Sequence, residues 1–323
     1  MLCIASHDAG GAELLASWLV RQEQPCRLLL DGPAIPVFER RLGAPFEIVS
    51  VEQALWECDR FLTGSSWQSD LEWRVIRAAR SLGKPVITFL DHWGHYRERF
   101  IRDGKECLPN TIWTGDKEAF DMAQGLFPEI PVEQVSNHYF EDIRKEVAGV
   151  SRSSASSNVT SLGMRILFVC EPLSEHGLRE FGDAMHWGYT EFHALRYFFA
   201  HLALLGNPVK AAVIRPHPSE KSGKYDSIAR EFAKRTGIPV RVGGDRTLLQ
   251  EIADCDIVAG CESMAMVVGL IAGRRVICAI PPEGRPCSLP HKKIESLNAL
   301  ATAALMKTTQ PASSPGQLPG LHG

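Results

Sequence analysis

Ser6-His7-Asp8-Ala9-Gly10-Gly11-Ala12-Glu13 joins a short apolar run, Leu2-Cys3-Ile4-Ala5, to a helical pattern from Ala12 to about Arg21. A carboxylate beside an imidazole at a strand tip is the pairing that general-base chemistry needs. Asp8, helped by His7, is therefore the first candidate to take a proton from a hydroxyl. Gly10 and Gly11 allow close approach to the backbone and bare the N–H groups at a helix start, which suit an anion. The competing reading makes Asp8 an ordinary helix cap. The stretch is neither a Walker loop nor a G-x-G-x-x-G fingerprint.

Leu90-Asp91-His92-Trp93-Gly94-His95-Tyr96-Arg97-Glu98-Arg99-Phe100 follows a buried apolar run, and so dense a polar and aromatic loop on a rigid scaffold points to a ligand. Asp91 is the second candidate base, His92 and Arg97 are candidate substrate contacts, and Trp93 and Tyr96 offer faces on which a sugar stacks. The bland alternative is a hydrated helix start with Arg97 and Arg99 pointing outward. Between these stretches, Gly64-Ser65-Ser66-Trp67-Gln68-Ser69-Asp70 offers the Ser65 and Ser66 hydroxyls to a pocket. A capping box of Ser69 with Glu72 is the preferred account of that segment.

The second half carries phosphate chemistry. In Ile214-Arg215-Pro216-His217-Pro218-Ser219-Glu220-Lys221 two prolines deny the backbone helix or ladder, so Arg215 and His217 are held rigidly at a strand end. Guanidinium beside imidazole reads as a phosphate clamp, with Glu220 counted among the binding residues. In Gly260-Cys261-Glu262-Ser263-Met264-Ala265, Ser263 fits a helix N-cap that aims free N–H groups at a phosphate; Met264 opens the helix, and Glu262 is placed to accept ribose hydroxyls. Cys261 has no local His and Asn signature of a cysteine nucleophile. Glu171 follows the first strand of this half and is expected at the same crevice. Asp254-Cys255-Asp256 stands at the entry to a strand and is read as structural, so no metal site is expected.

These loops need a scaffold, and the pattern supplies one. Apolar strands alternate with amphipathic helices from Leu2 to Ser136 and again from Arg165 to about 306, as in parallel sheets covered on both faces. Open sheets of this kind bind ligands beyond the carboxyl ends of their strands, where every stretch above falls. The expected organisation is a Rossmann-like domain at 1–147 on the acceptor side, a serine-rich linker at 148–163, a nucleotide-sugar-binding Rossmann-like domain at 164–306 and a disordered tail at 307–323. The fold class is α/β, two such domains facing a cleft.

The 323 residues carry 35 Lys and Arg against 38 Asp and Glu, a net charge of -3, so no large basic surplus points to a nucleic-acid partner. His7, Asp8 and Glu13 interrupt any apolar leader, and no run of about 20 apolar residues follows, so neither secretion nor membrane spanning is expected. Nine cysteines without a C-x-x-C indicate neither a disulfide framework nor a zinc knuckle. A cytoplasmic enzyme is the expectation, with Arg97, Arg99, Arg102 and Lys105 as a patch for docking at the inner membrane surface, and with a homodimer allowed.

The stretch Asp254 to Ala265, continued through Leu270-Ile271-Ala272-Gly273-Arg274-Arg275-Val276-Ile277, resembles the nucleotide-binding half of GT-B glycosyltransferases and of the related nucleotide-sugar 2-epimerases. With His217-Pro218 and Ser263 it is similar to bacterial capsule and lipopolysaccharide enzymes that use cytidine-activated donors. The resemblance implies an inverting, metal-independent transfer to a saccharide or lipid-linked acceptor, with no cofactor beyond the nucleotide-sugar substrate. It places donor phosphate on His217 and Ser263 and an acidic base, Asp8 or Asp91, in the first domain. The sequence departs from the pattern in lacking an acidic pair followed by Gly at a strand end. A UDP-sugar 2-epimerase or hydrolase is the alternative; that family's Thr-Arg-Pro-Glu pattern is absent after Ile4.

Overall fold

The computed structural model describes residues 1–66, 69–150 and 163–309, the last three by backbone alone. Two compact units divide the chain, Met1–Ser151 with Ser288–His291 and Arg152–Cys287 with Lys292–Gly323. The expected linker lies outside the described residues from 151 to 162. So does the expected tail from 310 onward, while 307–309 continue the final helix.

In the first unit β1 (Leu2–Ser6), β2 (Cys26–Leu30), β3 (Arg60–Thr63), β4 (Val86–Phe89), β7 (Thr111–Thr114) and β8 (Val132–Gln134) form one sheet in the order β2-β1-β3-β4-β7-β8. Every pairing is parallel. All five residues of β1 are buried, as a central strand covered on both faces requires. A small antiparallel pair, β5 (Ile101–Arg102) and β6 (Lys105–Glu106), stands apart. The helices are α1 (Ala9–Leu19), α2 (Ala34–Leu42), α3 (Val51–Glu57), α4 (Leu71–Ser81), α5 (Lys117–Leu126) and α6 (His138–Gly149). Polar caps start three of them: Ser50 accepts from Gln53 N, Asp116 from Ala119 N and Asn137 from Phe140 N. The apolar stretch Phe46 to Val51 forms only a single bridge, between Ile48 and Leu28. One core cluster joins Leu14, Leu15 and Leu19 of α1 to Leu28, Leu30, Phe38 and Phe89.

The second unit repeats the plan. Strands β9 (Met164–Val169), β10 (Val209–Arg215), β11 (Val240–Val242), β12 (Ile257–Gly260), β13 (Arg275–Cys278) and β14 (Ile294–Ser296) lie in the order β11-β10-β9-β12-β13-β14, again parallel. Its helices are α7 (Leu173–Phe181), α8 (Glu191–Ala200), α9 (Asp226–Thr236), α10 (Leu248–Asp254), α11 (Met264–Ile271) and α12 (Leu297–Thr309). Phe199 stacks on Phe232 with ring centroids 4.2 Å apart and fixes α8 against α9. In both sheets strand order reverses beside the first strand, between β1 and β3 and between β9 and β12. Such a reversal is the place where an open α/β sheet takes its ligand, beyond the carboxyl ends of its strands.

Candidate active site

At the switch point of the first sheet, His7 and Asp8 leave β1, Ser65 and Ser66 leave β3, and Asp91 follows β4. Asp8 sits at the N-cap position of α1, yet its side chain makes no cap bond. Its Oδ1 instead meets His7 Nδ1 at 2.7 Å and accepts from Ser66 Oγ at 2.8 Å. The capping alternative for Asp8 is thereby excluded. The Asp8 side chain is 22 % exposed, enough for a reacting hydroxyl to reach it.

Asp91 is held differently. Its Oδ1 accepts from Ser65 Oγ at 2.9 Å and from Arg99 at 2.8 Å, and both members of the ion pair are about nine-tenths buried. A Cβ on Gly10 would collide with Asp91 Oδ2, so the glycine is what lets this carboxylate lie against the start of α1. Gly11 in turn packs against Gly64, where a Cβ would stand 3.4 Å from the Gly64 Cα. The serines expected to line a sugar pocket therefore hold the two candidate bases.

Glu72 belongs to this cluster and was misread in the sequence. Ser69 Oγ accepts from Leu71 N, and no capping box forms; the Glu72 carboxylate turns inward and accepts from His7 N at 2.8 Å. Its other oxygen is buried without a hydrogen-bond partner. Burial pushes Glu72 up to about 7, opposed by the His7 amide and reinforced by the Asp8 charge. The available signal was its spacing: on α4, Glu72 shares the buried face of Val75, Ile76 and Ala79, which a solvent-facing cap would not.

The 91–102 loop corrects four assignments. Trp93 and Tyr96 are only 3 % and 2 % exposed, and the Trp93 indole N–H is spent on Asp116, so neither presents a stacking face. Arg97, expected to contact substrate, is bound on the surface by Glu106, Glu129 and the Leu126 carbonyl. The arginine that reaches Asp91 is Arg99, which the bland alternative had pointing outward. Arg99 also donates to the Ser65 carbonyl, and Arg102 to the carbonyls of Ser66 and Ser69, so these two do not join Arg97 and Lys105 in one hydrated basic face. His92 packs beside Trp93, with ring centroids 5.8 Å apart.

In the second unit the expected clamp comes apart. Arg215 leaves β10 to pair with Glu251 at 2.6 Å and to bond the Arg246 carbonyl, a buried structural pair. His217 remains exposed at the strand end. The Ser219 amide donates to His217 Nδ1 at 3.2 Å, which places the imidazole proton on Nε2, and Ser219 Oγ lies 2.7 Å from the same nitrogen. Partial desolvation by its own loop lowers the His217 pKa against the pull of Glu220, favouring the neutral ring. Glu220, expected to bind substrate, has no exposed side chain: it accepts from His217 N, Lys224 and the Tyr225 hydroxyl.

Ser263 caps α11 as expected, accepting from Ala265 N at 3.2 Å, with Met264 the first helical residue. The N–H groups just ahead of it are taken, however. Glu171 accepts from Glu262 N at 2.8 Å and from Cys261 N at 3.3 Å. Glu262 pairs with Arg285 at 2.6 Å, and burial drives the Cys261 thiol far above its ordinary range, which removes it as a nucleophile. Asp256 bonds Arg165 N and Asp254 pairs with Arg246, the structural roles expected of them.

Lys224 and Glu191 were missed altogether. Lys224 joins Glu175, Glu191 and Glu220 at 2.6 to 3.0 Å, and Glu191 takes both the amide and the hydroxyl of Ser174. This knot ties the loop after β9 to the His217 loop after β10; it lay on helix-start residues that carry no motif. Among the described residues no group of three or more His, Cys, Asp or Glu side chains could hold a metal, and no helix is long and apolar enough to cross a membrane.

No family model and no curated protein matches the sequence. Solved structures do resemble it. The UDP-GlcNAc 2-epimerase from Methanocaldococcus jannaschii aligns over 97 % of this chain and 94 % of its own, with TM-score 0.55 and 9 % identity. MurG from Acinetobacter baumannii aligns over 95 % of this chain and 90 % of its own, with TM-score 0.51 and 11 % identity. The likeness shows the fold: two Rossmann-like α/β units of GT-B type.

Proposed function

We propose that the protein is a glycosyltransferase that moves a sugar from a nucleotide-activated donor, a CMP-sugar before others, to a saccharide or lipid-linked acceptor of bacterial surface polysaccharide. Asp8 removes the proton of an acceptor hydroxyl, and the hydroxyl oxygen attacks the anomeric carbon with inversion. The bond from that carbon to the phosphate oxygen breaks, and the charge on the departing phosphate is met by the His217 Nε2–H and the Ser263 hydroxyl. The proton ends on Asp8 and the electron pair on the nucleotide. No metal takes part.

The observation that carries the reading is the Asp8 carboxylate, turned from its capping position onto His7 and Ser66 at the switch point of its sheet. Asp91, paired with Arg99 and more buried than Asp8, is the less accessible carboxylate and serves to fix the Ser65 loop. The GT-B fold hosts both transfer and 2-epimerisation, so fold alone does not choose between them. Incubation with CMP-sugars and with UDP-GlcNAc, each with and without saccharide acceptors, decides. Acceptor-dependent product supports transfer; a free or epimerised sugar formed without acceptor replaces it with the hydrolase or epimerase reading.

A further inference from the structure

We infer that Glu171 is a specificity-determining residue that disfavours pyrophosphate-linked donors, because its carboxylate already fills the backbone N–H groups ahead of α11. The inference rests on the nucleotide-donor reading of the second unit. Glu171 cannot easily leave: Cys170 N bonds the Arg215 carbonyl, Leu173 N bonds the Glu171 carbonyl, and the chain on either side is thus pinned. Burial raises Glu171 to about 7, so above that value an anion is seated on these amides, where it removes donors from any second phosphate and repels it.

The surrounding charges agree. Arg215 is matched by Glu251, Lys224 by Glu175, Glu191 and Glu220, and Arg285 by Glu262. These three cations are thus met by carboxylates of the chain itself. A phosphodiester, as in a nucleoside monophosphate sugar, brings one negative charge and is served by neutral donors such as His217 and Ser263. A pyrophosphate brings two and finds its nest occupied.

The test is calorimetric titration of the whole protein with CMP, CDP and inorganic pyrophosphate, at about pH 8.5 so that the carboxyl is ionised. Wild type, Glu171→Gln and Glu171→Ala are compared. Wild type should prefer CMP. Glu171→Ala should shift the affinity ratio toward CDP by about tenfold or more, a change of about 1.4 kcal/mol. Glu171→Gln should shift it less, since the amide oxygen still covers the N–H groups without the charge, and this variant carries the test if the alanine protein does not fold. An unchanged ratio, or a wild type that prefers CDP, overturns the inference. If wild type binds no nucleotide but the variants gain pyrophosphate binding, the donor reading falls and the role of Glu171 stands. If neither nucleotide nor pyrophosphate binding responds, the role falls as well.

Discussion

Ser66 Oγ donates to Asp8 Oδ1 at 2.8 Å, a bond between residues 58 positions apart that leave neighbouring strands. It exists because β1 and β3 pair in parallel, which brings their carboxyl ends to one level. The hydroxyl holds the carboxylate beside His7 and away from the helix start.

Asp8→Asn should lower turnover of the selected nucleotide sugar by about 10²–10⁴ and leave the fold intact, as expected for loss of a general base. Ser66→Ala should cost less. Initial rates with saturating acceptor measure both, and a near-normal rate for Asp8→Asn with a collapsed rate for Asp91→Asn would move the base to Asp91.

Gly10→Ala places a methyl group against Asp91 Oδ2, which Arg99 and Ser65 hold in place. The expected loss is about 1–3 kcal/mol, the usual size of an overpacking strain. Urea unfolding gives the number; an unperturbed midpoint would mean that Asp91 moves without cost.

Arg99→Ala and Arg97→Ala separate the two readings of the 91–102 loop. Removing Arg99 strands a mostly buried Asp91 and should destabilise the protein by about 3 kcal/mol. Removing the surface Arg97 should leave the unfolding midpoint nearly where it was. Equal effects would refute the inward placement of Arg99.

Glu72 predicts a pH dependence. Its folded value of about 7 lies above the ordinary 4.5, so the folded state holds this proton more tightly than the unfolded state. Below 4.5 both states are protonated and nothing is lost. Stability falls as pH rises from there and the loss is complete above about 7, amounting to about 3 kcal/mol. Glu72→Gln, which retains an acceptor for His7 N, should flatten that decline. Parallel slopes for wild type and variant in thermal melts across this range would sink the assignment.

His217→Ala should weaken nucleotide binding by about tenfold with an unchanged melting temperature, the loss of one hydrogen bond to a charged group. Arg215→Ala should instead lower stability, since it leaves Glu251 buried and unpaired. Titration and thermal melting of the same two proteins check both halves, and the reverse pattern would restore Arg215 as the phosphate ligand.

Most of the architecture was legible because apolar strands and amphipathic helices carry their periods in the residues themselves. The exceptions are instructive. Ile294–Ser296 is an edge strand among polar residues and lacks a buried-strand pattern, and Phe46 to Val51 has that pattern but only one bridging partner. Around the site, Ser263 was readable as a cap because capping is local. Glu72 and Ser69 matched the same local rule and failed it, because a backbone N–H at His7, 65 positions away, took the carboxylate.

The sequence by itself determined which loops lie at the strand ends: glycine, serine, histidine and acid gathered after strands, and strands of a parallel sheet end on one side. Only the tertiary structure decided which side chain in each loop is engaged with which. Arg99 rather than Arg97 meets Asp91, Arg215 turns to Glu251 instead of joining His217, and Glu171 crosses 91 positions to the amide of Glu262. The physical reason is that charged and polar groups near a buried sheet must find partners, and the order of the strands, not proximity along the chain, sets which partners lie within reach.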